Sequence, residues 1–216
     1  MMPSLLLPLA VLLVAHTTPA RTSPPQDTLF ELSCAVFPPN TTQADLVARF
    51  GAQNVTNAPV SGMDDGPSEG TIIFADRPDA RVEIMWWDLH VKRYPYAIYV
   101  RTAGSRWRTP NGVTVGTDLR TLERANRRPF RMAGFSTESQ GAVRSWAGGA
   151  LDHAESDSCS TVIHLQPTYE ATVDDTLFRQ VRSGRDYSSG HPALQTINPR
   201  VVVIRLWFPP PREPAN

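Results

Sequence analysis

The segment RVEIMWWDLH, residues 81–90, constrains the fold more than any other part of the chain. Side chains of a β-strand alternate between its two faces, so Val82, Ile84 and Trp86 would share one side. Met85 and Trp87 would then lie on the other side, whereas a half-buried strand has only one apolar face. Both faces of this strand therefore need a cover, either from the protein itself or from something that it binds.

The closing segment RVVVIRLWF, residues 200–208, repeats this feature. Strict alternation places one apolar set on one face: Val202, Ile204, Leu206 and Phe208. The opposite face then carries Val201, Val203, Arg205 and Trp207. If both segments belong to one sheet, Met85, Trp87 and Trp207 share a second apolar surface beside Arg205. We expect short helices to cover that surface; the alternative is an exposed sheet face that binds a partner or a sugar.

Between these segments the chain predicts short helices and antiparallel strands. TTQADLVARFG has Thr41 or Thr42 as a helix N-cap and Gly51 as the stop. In NGVTVGTDLRTLERANRRPF, the β-rich GVTV precedes a helix capped by Thr117, with a buried face at Leu119, Leu122 and Ala125, and ended by Pro129. Strands are predicted in these segments: GTIIFAD, RVEIMWWDL, YAIYVRT, FRMAGF, AVRSWAGG, STVIHLQ and RVVVIRLWF.

This order predicts an α+β fold with antiparallel sheets, since no long helices separate the strands as in parallel sheets. Two loosely repeated helix-then-hairpin halves are expected, over residues 31–108 and 109–209. Residues 21–30 are predicted to be a linker, and residues 210–216 a Pro-rich tail.

The first 20 residues are typical of a secretory signal peptide. Their apolar run, residues 5–14, is about half the length of a bilayer-spanning helix, and small residues follow it. A buried helix is the alternative. An exported chain with two cysteines favours a disulfide between Cys34 and Cys159 over two buried free thiols.

Composition and motifs exclude several function classes. Lys+Arg and Asp+Glu both number 21, so a nucleic-acid partner is not expected, and no basic run favours a membrane surface. GVTVGT has neither a P-loop nor a dinucleotide-binding pattern. Nucleophile-elbow and metal-binding signatures are missing from the sequence, so we predict no catalytic residue, no metal and no cofactor.

Two polar clusters remain as candidates. LDHAESDSC holds four possible cation ligands, for which a solvated loop is the simpler interpretation: Asp152, His153, Glu155 and Asp157. RSGRDYSSGHP contains Arg182, Arg185, Asp186, Tyr187, Ser188 and His191. Of these, Arg185, Tyr187 and His191 are candidate binding residues for an anionic or peptide ligand, and a surface loop before the last strand is the simpler interpretation.

About a fifth of the chain resembles a family of uncharacterised secreted bacterial proteins. The matching positions are Gly112, Gly116, Thr117, Leu119, Leu122, Asn126, Pro129, Phe130, Gly134 and Phe135. Those proteins carry an aromatic-acidic-aromatic-Gly loop where this chain has STESQG, so the resemblance implies no ligand role here. The helix–hairpin unit is also distantly similar to the repeats of β-lactamase inhibitor proteins and of the small lipoprotein of the outer-membrane β-barrel assembly machinery.

Because those proteins bind or scaffold, the resemblance implies a non-catalytic exported protein that binds another cell-envelope protein. Two alternatives stay open. One is a hydrolase of an envelope polymer, with His153, His191 or the nearby carboxylates as candidate acid–base groups. The other is a sugar or small-molecule binding module that uses Trp87 and Trp207.

Overall fold

The computed structural model describes residues 28–63, 66–136, 140–152, 158–168 and 175–211. The described helices are α1 (Gln43–Phe50), α2 (Leu119–Asn126), α3 (Asp175–Val181) and α4 (Pro192–Ile197), with a 3-10 turn at Ala52–Asn54. The described strands are β1 (Phe30–Glu31), β2 (Val55–Ser61), β3 (Pro67–Ile73), β4 (Val82–Asp88), β5 (Arg93–Val100), β6 (Trp107–Arg108), β7 (Arg131–Ala133), β8 (Val143–Ser145), β9 (Ser160–Gln166), β10 (Asp186–Ser188) and β11 (Arg200–Trp207).

Several predictions lie outside these residues. They concern the signal peptide, most of the linker, the end of the tail, and three members of the acidic cluster: His153, Glu155 and Asp157.

A six-stranded sheet dominates the fold, in the order β2-β3-β4-β5-β11-β9, and its neighbouring strands are antiparallel. The closing strand β11 lies between β5 and β9, so residues 31–108 and 109–209 both contribute strands to this sheet. A smaller antiparallel sheet has the order β10-β7-β8, and β1 pairs with β6. The predicted α+β class with antiparallel sheets is confirmed.

Local sequence explains where the first helix begins and ends. The hydroxyl of Thr42 accepts a hydrogen bond from the Asp45 N–H at 3.2 Å, and the Asp45 carboxylate accepts one from the Thr42 N–H at 2.8 Å. This reciprocal pair caps two free N–H groups. Gly51, with φ at 86°, ends the helix as predicted, in a conformation that other residues rarely adopt.

The start of α2 corrects two predictions. Asp118, not Thr117, is the N-cap: its carboxylate accepts the Thr121 N–H at 2.9 Å, whereas the Thr117 hydroxyl donates to the preceding Thr114 carbonyl at 2.8 Å. GVTV is not a strand, since turns with positive φ at Gly112 and Gly116 bound it. Asn126 takes the third buried position of the helix, and Ala125 is exposed.

The main core lies on one face of the large sheet and includes Val82, Ile84 and Trp86, as predicted. Helices supply much of its cover: Leu46 from α1, Leu119 and Leu122 from α2, Val181 from α3, and Leu194 from α4. The predicted disulfide between Cys34 and Cys159 is confirmed and borders this core, with Cα atoms 6.0 Å apart.

A β-bulge in β11 changes the predicted alternation. The pairing register with β9 shifts between Val201 and Val203. Val201 therefore enters the main core together with Ile204, whereas Val202 packs against the opposite cluster. The strict alternation predicted for this segment is wrong at these two positions, because a bulge adds one residue to one strand.

The opposite face of the sheet carries a second apolar cluster: Val60, Ile72, Met85, Ala97, Tyr99 and Val203. No residue of a described helix belongs to it, so the expected helix cover is wrong for the described part of the chain.

The β2–β3 hairpin contributes Val60 and Ile72 to this second cluster, and Ala58 packs against it. Register pairing of β3 with β4 is limited to Thr71–Ile73, so the first half of β3 can depart from the plane of β4. Gly70 lies so close to the Ile84 carbonyl oxygen that a Cβ there would be 2.6 Å away. Arg101 fastens the hairpin by donating to the Ser61 carbonyl at 2.8 Å, and its guanidinium lies 4.0 Å over the Tyr99 ring.

Candidate binding surface

The end of β4 and the turn that follows it expose three large apolar side chains, which we call the hairpin patch: Trp87, Leu89 and Val91. Their exposed fractions are 40%, 43% and 65%. Among the described residues, Leu29 is the one other large apolar side chain in this exposed class. Three such side chains within five residues form a concentrated patch, which in a folded protein is typical of a contact surface.

The backbone of this turn is fixed by its own polar groups. The Asp88 carboxylate accepts hydrogen bonds from the N–H groups of His90 at 3.0 Å and Val91 at 3.2 Å. Lys92 and Tyr94 follow with φ values of 47° and 59°, a conformation that is uncommon for residues other than glycine. An uncommon backbone conformation of this kind is retained only where contacts with the surrounding structure hold the chain in it.

Two neighbouring segments supply that constraint. The Lys92 carbonyl accepts from the Gln43 N–H at 2.9 Å, and the Tyr94 N–H donates to the Thr41 carbonyl at 3.1 Å. The Lys92 ammonium is buried and lies 2.6 Å from the Glu69 carboxylate on β3. The hairpin patch is therefore presented on a backbone held by α1 and by the β2–β3 hairpin.

The contact with Lys92 also changes the pKa of the Glu69 carboxylate. Its hydrogen bond to Lys92 and the positive charge of that residue hold the pKa of Glu69 below its ordinary value. Below the pH range in which Glu69 stays ionised, the buried ammonium of Lys92 loses its counter-charge.

Trp87 sits at the junction of the patch with the second sheet face. Its indole N–H donates to the Phe208 carbonyl at 3.1 Å, and its ring meets the Tyr96 ring edge-on, with centroids 4.8 Å apart. No described helix supplies its cover, so our expectation of helix cover for Trp87 is wrong. The contacts orient the indole and leave two-fifths of the side chain accessible.

Trp207 and Arg205 lie along the same sheet face. The register aligns Met85, Ala97 and Trp207 across three neighbouring strands, and Trp207 is half-buried. Arg205 pairs in register with Tyr99, and its buried Nε has no hydrogen-bond partner among the described residues. These positions agree with the predicted grouping of the tryptophans beside Arg205 on one face.

The other three predicted binding residues, Arg185, Tyr187 and His191, lie in a different part of the fold. Tyr187 belongs to β10, pairs with Met132, and places its hydroxyl 2.7 Å from that of Ser183. The Nδ1 of His191 accepts the Ala193 N–H at 3.2 Å as the cap of α4.

Within this segment, β10 occupies three residues and α4 begins at its last one, whereas residues 182–185 and 189–191 lie outside helices and strands. The Tyr187 and His191 rings contact each other, with centroids 5.6 Å apart, whereas Arg185 is exposed. Sequence reasoning did not find β10 and α4 because both are short: a strand of three residues and a helix of six.

Polar groups elsewhere have structural partners. Burial opposes ionisation of Asp118, but hydrogen bonds from Thr121 and Asn198 and the charge of Arg200 leave its pKa lowered. The pKa of Asp45 is lowered by its hydrogen bonds to Thr42. Within the described ranges, no group of three or more His, Cys, Asp or Glu side chains is placed to hold a metal ion.

Leu89 and Val91 are the surface residues that sequence reasoning missed. The period-two pattern that ends in Trp87 continues through both of them, so the signal was present in the sequence. It was missed because the predicted strand RVEIMWWDL included Leu89 and stopped short of Val91, whereas β4 ends at Asp88 and both residues lie in the turn that follows.

No protein-family model, curated protein or solved structure matches the chain. Among the described helices, none is both long enough and apolar enough to cross a membrane.

Proposed function

We propose that this is a non-catalytic exported protein that binds another protein of the cell envelope through the hairpin patch. The observation that carries the proposal is the exposure of Trp87, Leu89 and Val91 on a fixed turn. Trp is one of the residues that most often dominate binding energy in protein interfaces, and its neighbours Leu89 and Val91 add apolar area around it.

The patch is large enough for its burial to matter. Full burial of an exposed large apolar side chain contributes about 1.5–3 kcal/mol. Since about half of each side chain is still exposed, the three together would contribute about 3 kcal/mol, or roughly 100-fold in affinity. The fixed backbone supports this use, because a preorganised turn loses little conformational entropy on binding.

Two features support action outside the cytoplasm. The Cys34–Cys159 disulfide is the kind of bond that persists in oxidising compartments. The first 20 residues have the pattern of a signal peptide, so the mature chain is expected to begin near Arg21. Intact-mass analysis of exported protein checks this, and a mass that retains residues 1–20 would contradict it.

Capture from envelope extracts tests the patch. Bait proteins are the wild type, a Leu89→Ser/Val91→Ser variant, and a Leu29→Ser control that removes an exposed apolar side chain elsewhere. We expect the wild type and the control to retain the same envelope protein and the double variant to lose it. Equal capture by the double variant, or no specific capture by the wild type, would overturn the proposal.

A further inference from the structure

A cavity of about 310 Å³ opens on the side of the fold that carries β8 and β9. Its apolar wall is formed by Val113, Leu151 and Ile163, which are buried in the main core. No residue of the hairpin patch is among its described lining residues. Its volume lies at the lower end of the range for small-molecule sites.

One wall is the half-buried ring of Trp146, and the backbone holds this residue firmly. Its carbonyl accepts hydrogen bonds from Asn126 Nδ2 at 2.9 Å and from the Gly149 N–H at 3.1 Å. Its ring packs against Phe130, with centroids 5.1 Å apart. The next residue, Ala147, has φ at 57°, a strained conformation for alanine that turns the chain directly after the ring.

The polar rim has balanced charge. Arg144 and Asp152 line the cavity together with the neutral polar residues Asn111 and Thr161. The Arg144 side chain is 49% exposed and approaches Asp186 only to 3.8 Å, so most of its donors face solvent. Asp152 uses one carboxylate oxygen to accept the Gly148 N–H at 2.7 Å. A rim with one charge of each sign favours an uncharged ligand with both donor and acceptor groups.

A pyranose ring has this chemistry, because it presents C–H groups on one face and hydroxyl groups at its edge. We infer that the cavity binds a neutral sugar ring, with Trp146 against the apolar face and Arg144 and Asp152 hydrogen-bonded to hydroxyl groups. This site is separate from the hairpin patch, so the test of sugar binding is independent of the test of the proposed protein partner.

Saturation-transfer NMR tests the inference with six probes: glucose, galactose, N-acetylglucosamine, cellobiose, lactose and chitobiose. At least one is expected to receive saturation from the wild-type protein. Trp146→Ala is expected to weaken its binding by at least 10-fold, whereas a Trp87→Ala control keeps wild-type affinity. No transfer to any probe, or wild-type affinity in Trp146→Ala, would overturn the inference.

Because Trp146 packs against Phe130, its removal can disturb the fold, so a second variant is needed. Arg144→Ala removes an exposed side chain with little packing. It is expected to weaken binding of the same probe by about 10-fold, the effect of losing one charge-assisted hydrogen bond. Unchanged affinity in Arg144→Ala would contradict the assigned site even if Trp146→Ala does not fold.

Discussion

Two adjacent tryptophans should differ sharply in their contribution to stability. Trp86 is 4% exposed in the main core, and its indole N–H donates to the buried Thr71 hydroxyl at 2.9 Å. Trp86→Ala removes a large core side chain, which costs about 3–5 kcal/mol. The hydroxyl of Thr71 also loses its partner, so we expect the upper part of that range.

Trp87→Ala should cost much less. The change removes one hydrogen bond to a backbone carbonyl, with a net contribution of about 0.5–1.5 kcal/mol. It also removes an edge-on contact with Tyr96, of about 0.5–1.5 kcal/mol. We therefore expect about 1–3 kcal/mol in total.

Urea denaturation of both variants, with the disulfide intact, measures this difference. With a slope of about 2 kcal/mol per molar urea, the midpoint should fall by roughly 2 M or more for Trp86→Ala and by about 0.5–1.5 M for Trp87→Ala. Equal destabilisation by the two changes would refute the assignment of Trp87 to an accessible surface. A Trp86→Ala protein within about 1 kcal/mol of wild type would refute its place in the core.

Three further perturbations test the framework that holds the sheet and the hairpin. Replacing both Cys34 and Cys159 by Ser should lower the free energy of unfolding by up to about 4–5 kcal/mol, because the bond closes a loop of 125 residues; the denaturation midpoint measures this. Because the pKa of Glu69 is lowered on folding, its pair with Lys92 contributes stability above pH 4.5, its ordinary value, and loses it as the pH falls further. Glu69→Gln should therefore reduce the loss of stability as the pH falls below 4.5 and speed amide exchange at the patch; an unchanged pH dependence would contradict this pairing. Asn126→Ala removes three buried or part-buried hydrogen bonds between the side-chain amide and backbone groups. The free energy of unfolding, measured by thermal denaturation, should fall by about 2–4 kcal/mol. A loss below about 1 kcal/mol would show that water replaces the amide.

Much of the large sheet follows from sequence because its central strands have strong period-two patterns. The segments around Ile84, Ile98 and Ile204 were predicted as strands, and they are neighbours in the sheet. The disulfide was predictable from an even cysteine count in a chain with an export signal.

The remaining features depend on contacts that a linear pattern does not encode. Strand β2 was not predicted because Asn57 and Pro59 lower its strand propensity, and its register with β3 compensates. The bulge at Val201–Val203 reverses side-chain parity without a glycine to mark it.

The cover of the second sheet face could not be predicted for the same reason. It depends on how far β3 departs from β4, which is a property of the assembled sheet. Only part of the candidate surface was therefore predicted from the sequence. Trp87 was named as a candidate binding residue, but helix cover was expected for it, and its exposed neighbours Leu89 and Val91 were not named.

Site-specific photo-crosslinking tests the central claim most directly. A photoreactive residue replaces His90, which is exposed at the centre of the hairpin patch, and in a control protein it replaces Ala125, which is exposed on α2. In cells that export the protein, the account predicts one crosslinked envelope protein from position 90, none from position 125, and loss of the product when Leu89→Ser and Val91→Ser are added. No product from position 90, or the same products from both positions, would contradict it.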